Sequence, residues 1–120
     1  MYGWVNACIK DLVISQFGEE KWALIIKKSN SELSSWVKHK YYPDLSTFDL
    51  VDAGGAVLGV DKEHLLEVFG AYFMTYCADN GYDNLLQSLG SNLGEWLSNV
   101  NMLHDHLEPT FADYVAPKFW

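Results

Sequence analysis

Apolar residues return every three or four positions along most of this chain, a period that leaves room for helices and little else. Residues 2 to 17 place Val5, Cys8, Ile9, Leu12, Val13 and Phe17 at helical spacing, and Gly18 then supplies a stop. Residues 19 to 28, EEKWALIIKK, carry acids at the start and lysines at the end, the order the helix dipole favours. Residues 46 to 57 predict a third helix, opened by a Ser46-x-x-Asp49 cap with Phe48, Val51 and Leu58 turned inward. Asp61 caps a fourth in KEHLLEVFGAYFMTYCADNG, where Leu65 or Leu66, Phe69, Phe73, Tyr76 and Cys77 form the inward stripe and Gly81 marks the end. Residues 82 to 89 make one or two further turns. Ser91 caps the last helix. Its apolar sector holds Leu93, Leu97, Val100, His104, Leu107 and Phe111. Proline inside a helix costs roughly 3 kcal/mol, so Pro109 places the end of that helix near Leu107 or Glu108.

One stretch breaks the pattern. SNSELSSWVKHKYYPDL begins with Ser and Asn, has Pro43 near its end, and holds the β-favouring Trp36, Val37, Tyr41 and Tyr42 between them. It reads as a loop with an extended piece. Repeats, linkers and low-complexity tracts are absent from the sequence, and 120 residues suffice for a core without staples. The expectation is a single, mainly α, multi-helical domain over residues 1–120.

Charge narrows the partners. Eight lysines, no arginine and sixteen acids leave a net charge of -8, which argues against nucleic acid and anionic membrane as partners and removes the usual bidentate anchor for carboxylates and phosphates. Cys8 and Cys77 fit no CxxC or metal spacing, so two reduced, mostly buried thiols are expected. Asn6, Lys10 and Asp11 interrupt the apolar start, and no apolar run is long enough to span a bilayer, so a cytoplasmic location follows.

The chemistry centres on two histidines in NVNMLHDHLEP. His104 is at the middle of the apolar sector of its helix, whereas His106 falls on the polar side beside Asp105 and Glu108. Side chains two apart on a helix diverge, so the pair makes a poor zinc chelate. A nucleophile elbow, a phosphate-binding glycine loop and a paired-carboxylate signature are all missing, so no enzymatic activity is expected. A lone histidine on an apolar face is commonly a hydrogen-bonded core residue. The chemical alternative is single-point ligation of haem iron, for which the macrocycle needs an apolar slot, one axial nitrogen and a dry opposite face. Aromatics at 15% of residues can line such a slot.

MYGWVN at the start, LEVFGAYFMTYC, NGYDNLLQSLGSNLGEWLSNVNMLHDHL and the closing APKF together make the chain resemble the haem nitric-oxide/oxygen-binding (H-NOX) domain, in the version found in soluble guanylate cyclase β subunits. The similarity spans nearly all 120 residues and is weakest between about 29 and 45. It implies a sensor of nitric oxide, with CO or O2 as further ligands, built on haem b whose iron is held by His104. Asp105 and His106 complete the motif without ligating, and Pro117 falls where the family's proline presses on the porphyrin. Val5, Phe73 and Cys77 fall at distal or peripheral pocket positions, and Tyr82 lies in the GYD turn. Val100, one turn before His104, is counted with the pocket. The implied mechanism is mechanical: nitric oxide on the iron weakens the trans bond to His104, the helix relaxes, and an output such as a cyclase responds.

The family continues into an antiparallel sheet with a Tyr-x-Ser-x-Arg motif that holds the haem propionates, and this chain has no such motif. The resemblance therefore implies an N-terminal portion or a reduced relative lacking most or all of that sheet, with lysines such as Lys38, Lys40 or Lys118 as substitute charges. Apolar surface that the sheet would cover favours self-association. The rival reading is a haem-free helical interaction or oligomerisation module with His104 in its core.

Overall fold

The computed structural model describes residues 1–107, the side chain of Leu107 excepted. Six helices account for most of them: α1 (Gly3–Phe17), α2 (Glu19–Ser29), α3 (Asp44–Leu58), α4 (Lys62–Cys77), α5 (Asp83–Ser88) and α6 (Leu93–Leu107). Among the described residues the only β feature is an isolated antiparallel bridge between Tyr2 and Tyr41. The mainly helical class expected from periodicity is the class observed. Met1–Met74 make one compact unit and the described residues from Thr75 onward make a second.

The first unit is organised around α1. Ile9 and Val13 join Trp22 and Ile25 of α2 and Leu50, Val51 and Ala53 of α3 in one buried cluster, with Leu65 and Phe69 of α4 packed against it. Burying side chains of this size stabilises by roughly 1.5–3 kcal/mol each, the dominant favourable term in such a core. A cavity of about 20 Å3 remains inside it, lined by Ile9, Leu12, Ile25, Leu50, Leu58 and Phe69 among others. It has room for about one water-sized molecule and no polar partner to hold a water, so it is not a cofactor slot.

Nothing in the sequence marks how α1 begins. Its N-cap, Tyr2, makes no side-chain cap bond. Instead the loop after α2 turns back onto it: Gly3 N–H donates to the Lys40 carbonyl at 2.9 Å and Trp4 N–H to the Lys38 carbonyl at 3.0 Å. Orphan donors of a helix start thus find acceptors more than thirty residues away. The approach is close enough to require glycine at position 3, since a Cβ there would lie 2.1 Å from the Val37 carbonyl oxygen.

A second tie is polar and fully buried. Thr47 Oγ1 of α3 donates to Asn6 Oδ1 of α1 at 2.6 Å, and both residues are buried. Asn6 sits among the apolar positions of α1, so periodicity alone does not reveal it.

Several sequence expectations are corrected. Helix α3 starts at Asp44 behind Pro43, not at a Ser46 cap, and Ser46 Oγ donates back to the Pro43 carbonyl at 2.7 Å. Proline fixes the entry φ and the Asp44 carboxylate suits the first turn. Asp44 also pairs with the Met1 ammonium at 2.7 Å. Phe17 and Phe48 were expected inside but are 43% and 45% exposed, because each sits at the margin of its helix's apolar arc. Helix α4 gives way at Cys77 to a π-type turn, Ala78–Tyr82, before Gly81 is reached. There Asn80 Nδ2 donates to the Tyr76 carbonyl at 2.7 Å and Gly81 takes a positive φ of 99°.

Glycine substitutions separate these effects. Gly3→Ala should lower unfolding stability in urea by about 2 kcal/mol or more, from the clash with the loop carbonyl. Gly70→Ala, mid-helix in α4 with no atom within 4 Å of the new Cβ, should raise it by up to about 1 kcal/mol.

Candidate functional site

Helix α6 carries the histidines, and its start is built by GSN. Asn92, one residue later than the expected Ser91, is the cap: its Oδ1 accepts from Glu95 N–H at 2.9 Å. Ser91 Oγ contacts the Glu95 carboxylate at 3.4 Å instead. Gly90 lets the connection pass tightly under the new helix, since a Cβ there would meet the Trp96 nitrogen at 2.8 Å. One step of the chain thus decides which of two capping residues is used.

Side chains of α6 reach back to α5. Trp96 Nε1 donates to the Leu86 carbonyl at 2.9 Å, and Asn99 Nδ2 donates to the carbonyl of the buried Leu89. The Leu86 carbonyl also takes the Leu89 N–H at 3.4 Å, so the indole adds a second donor to it, and Leu89 is the residue that closes α5.

Further along α6, Val100 is buried at 6% exposure and His104 follows one turn later, half-buried, with its Nδ1 shut off from solvent. His106 is exposed, as expected from its polar sector. Leu93, counted in the apolar sector, is 74% exposed because it is the first residue of α6 and lies before the part that packs against α5. The expected inequality of the two imidazoles is therefore present.

The other expected site residues divide between the units. Val5, on α1, is half-buried against the core cluster of the first unit. Phe73, on α4 in the same unit, is half-buried and its ring lies 5.6 Å from that of Phe69. Cys77 ends α4 half-buried and Cys8 is buried, and neither is part of a disulfide among the described residues. Tyr82, at the end of the π-type turn, is exposed. Pro117, Lys118 and Phe111 lie outside the described residues. The second unit thus holds Cys77, Tyr82, Val100 and His104, and the first holds Val5 and Phe73.

A tie beside Phe73 has no signal in the sequence. The neighbouring Tyr72 donates its hydroxyl to Asp11 of α1, and Ser15 Oγ lies 3.3 Å from the same oxygen. The bond to the carboxylate raises the Tyr72 phenol above its ordinary value, with Ser15 pulling the other way and slight burial adding to the rise. Asp11 and Tyr72 are sixty-one positions apart, and no local signal links them.

What could these residues hold? Among the described residues no group of three His, Cys, Asp or Glu side chains converges to chelate a bare metal ion. A single half-buried imidazole on an apolar helix face is instead the donor set of one-point axial ligation, so the residues present fit a haem better than a metal cage. The anionic edge of such a group has no arginine to meet it. Lys38 and Lys40 stand over the Trp4 and Tyr42 rings at 4.9 Å and 5.5 Å.

A helical domain with one secluded histidine on its last described helix is the class that this geometry defines. The family model for haem-NO-binding domains matches residues 2–120, and the chain belongs to that family of haem-based gas sensors. Among curated proteins it is 34% identical over 119 residues to the soluble guanylate cyclase gcy-32 of Caenorhabditis elegans and 36% identical over 120 residues to gcy-34 of the same organism. Each match takes in 98% of this chain and 17% of the relative, so the chain spans about one sixth of their length. The matched family is a sensor domain rather than a catalytic one. Among solved structures, the Fe(II) unliganded H-NOX protein from K. algicida superposes with a TM-score of 0.82 at 25% identity, covering all of this chain and 65% of that one. No described helix is long and apolar enough to cross a membrane.

The Tyr72 tie has a pH signature. A phenol raised in the folded state contributes stability that is full below the ordinary value of about 10 and is lost as pH rises through the raised folded value. Absorbance of the ionised phenol near the alkaline end should show Tyr72 titrating after a free tyrosine. Asp11→Asn should bring it back down.

Proposed function

We propose that His104 is the axial ligand of a haem b iron in this chain and that the chain senses nitric oxide, with CO and O2 as further ligands. The observation that carries the reading is His104 itself: half-buried on α6, one turn after buried Val100, with Nδ1 secluded. That leaves Nε2, the nitrogen farther from the helix backbone, as the one that can reach outward to a metal. Membership of the haem-NO-binding family across 2–120 supports it, and supports reading residues 1–120 as one sensor domain.

A bound haem iron would supply an open axial position for a diatomic gas. The protein's part is done by its own side chains. His104 would hold the iron and tie it to α6, and Val100 covers the same helix face with apolar surface. By the family resemblance Val5 and Phe73 fall at distal pocket positions, and their side chains carry no hydrogen-bond donor that could favour O2. Cys77 and Tyr82 belong to the periphery of the pocket, and Pro117 to the proximal side. Lys38, Lys40 and Lys118 are the cations available for the propionates. Any change of position at the His104 ring passes into α6, so a signal begins there.

The relatives are soluble guanylate cyclases, and a cyclase is the output we infer for a protein carrying this domain, in the cytoplasm. Exposed Leu93 and Met102 on α6 support self-association of the isolated chain.

Haem titration followed in the visible spectrum tests the ligand. His104→Ala should weaken haem binding by a factor on the order of 100 or more, beyond the loss typical of a ligand's supporting partners, and free imidazole should restore part of it. His106→Ala should bind as the parent does. Equal losses in both variants would refute the assignment, and no haem band in the parent would leave the helical interaction module as the reading.

A further inference from the structure

We propose that Trp96 and Asn99 are positioning residues that lock α5 and α6 into one body and thereby set the direction in which α6 presents His104. This rests on the reading of His104 as the haem ligand. Helix α5 has only six residues and buries none of them, so it is too short to hold its shape by propensity. Two α6 side chains donate to carbonyls at its C-terminal end, Trp96 Nε1 to Leu86, which also takes the Leu89 N–H, and Asn99 Nδ2 to the closing residue Leu89.

The spacing of the two donors matters. One bond between helices leaves a helix free to rotate about its axis. Two bonds three residues apart, about 4.5 Å along the axis, remove that rotation and axial sliding together. At about 100° per residue the donors occupy one side of α6, and His104 projects roughly a quarter turn away from Trp96. A small rotation at the bolts therefore swings the imidazole sideways instead of along its own bond. Close packing at Gly90, where a Cβ would come 2.8 Å from the Trp96 nitrogen, blocks the other way of relaxing, by lifting the start of α6. Helix α5 moves with α6 as its splint, and the exposed side chains of Asn84, Gln87 and Ser88 move with it.

The test uses the full chain. Trp96→Phe keeps the ring and removes the donor, and Asn99→Leu keeps the bulk and removes the donor. In the haem-loaded ferrous protein the iron–histidine stretch, read by resonance Raman, should shift by several wavenumbers in each variant with haem content unchanged. In a His104→Gly background with free imidazole bound, the same two substitutions should produce no shift, because the imidazole is no longer tied to α6. An unchanged band in both variants, or an equal shift in the imidazole background, overturns the proposal. In the haem-free chain, hydrogen exchange should accelerate about fivefold in α5, the effect of losing one net hydrogen bond of about 1 kcal/mol. If the parent shows no iron–histidine band, the ligand assignment has failed by itself. The exchange measurement then decides the proposal: acceleration in α5 sustains the locked pair, and unchanged exchange ends it.

Discussion

Every helix leaves four N–H groups at its start and four carbonyls at its end without partners, and in this protein those groups are what the tertiary structure is arranged to satisfy. The start of α1 is met by the Lys38 and Lys40 carbonyls of a distant loop. The end of α5 is met by Trp96 and Asn99 of the following helix. Apolar burial supplies most of the stabilisation, but it is non-directional. The hydrogen bonds at the helix ends decide rotation and register, because a buried carbonyl or N–H left unmet costs about 1–3 kcal/mol.

The same constraint explains why glycines fall where they do. Gly3 and Gly90 both stand where a helix start is pressed against backbone, and at both a single added carbon would collide. Neither needs an unusual backbone angle. Their role is close approach, which brings the loop carbonyls within reach of α1 in one case and fixes the α5–α6 connection in the other. The GSN motif that carries much of the family resemblance thus has a physical meaning: glycine for the approach, serine against the Glu95 carboxylate, asparagine as the cap.

Polar ties within the apolar framework add direction. Asn6 and Thr47 join α1 to α3 at full burial, and Tyr72 with Asp11 and Ser15 joins α1 to α4 at the surface. The second sits next to Phe73, so the helix that supplies an expected pocket side chain is held by a neighbour with no pocket role. In the second unit the equivalent job falls to Trp96 and Asn99 in front of His104.

The sequence by itself determined the helical class, the approximate span of five of the six described helices, with one or two turns where α5 lies, and the unequal standing of His104 and His106. Those properties follow from the 3.6-residue period, which is local. It also carried the family, since GSN and LHDHL are short, contiguous patterns. Only the tertiary structure decided that Asn92 rather than Ser91 caps α6, that α3 opens at Asp44, and that Phe17, Phe48 and Leu93 remain in solvent. Periodicity says which side of a helix is apolar but not how far along it a neighbour extends. The partners of Gly3, Asn6 and Tyr72 were out of reach for a related reason: Lys40, Thr47 and Asp11 are dozens of positions away, and only the packed helices bring a donor on one to an acceptor on another.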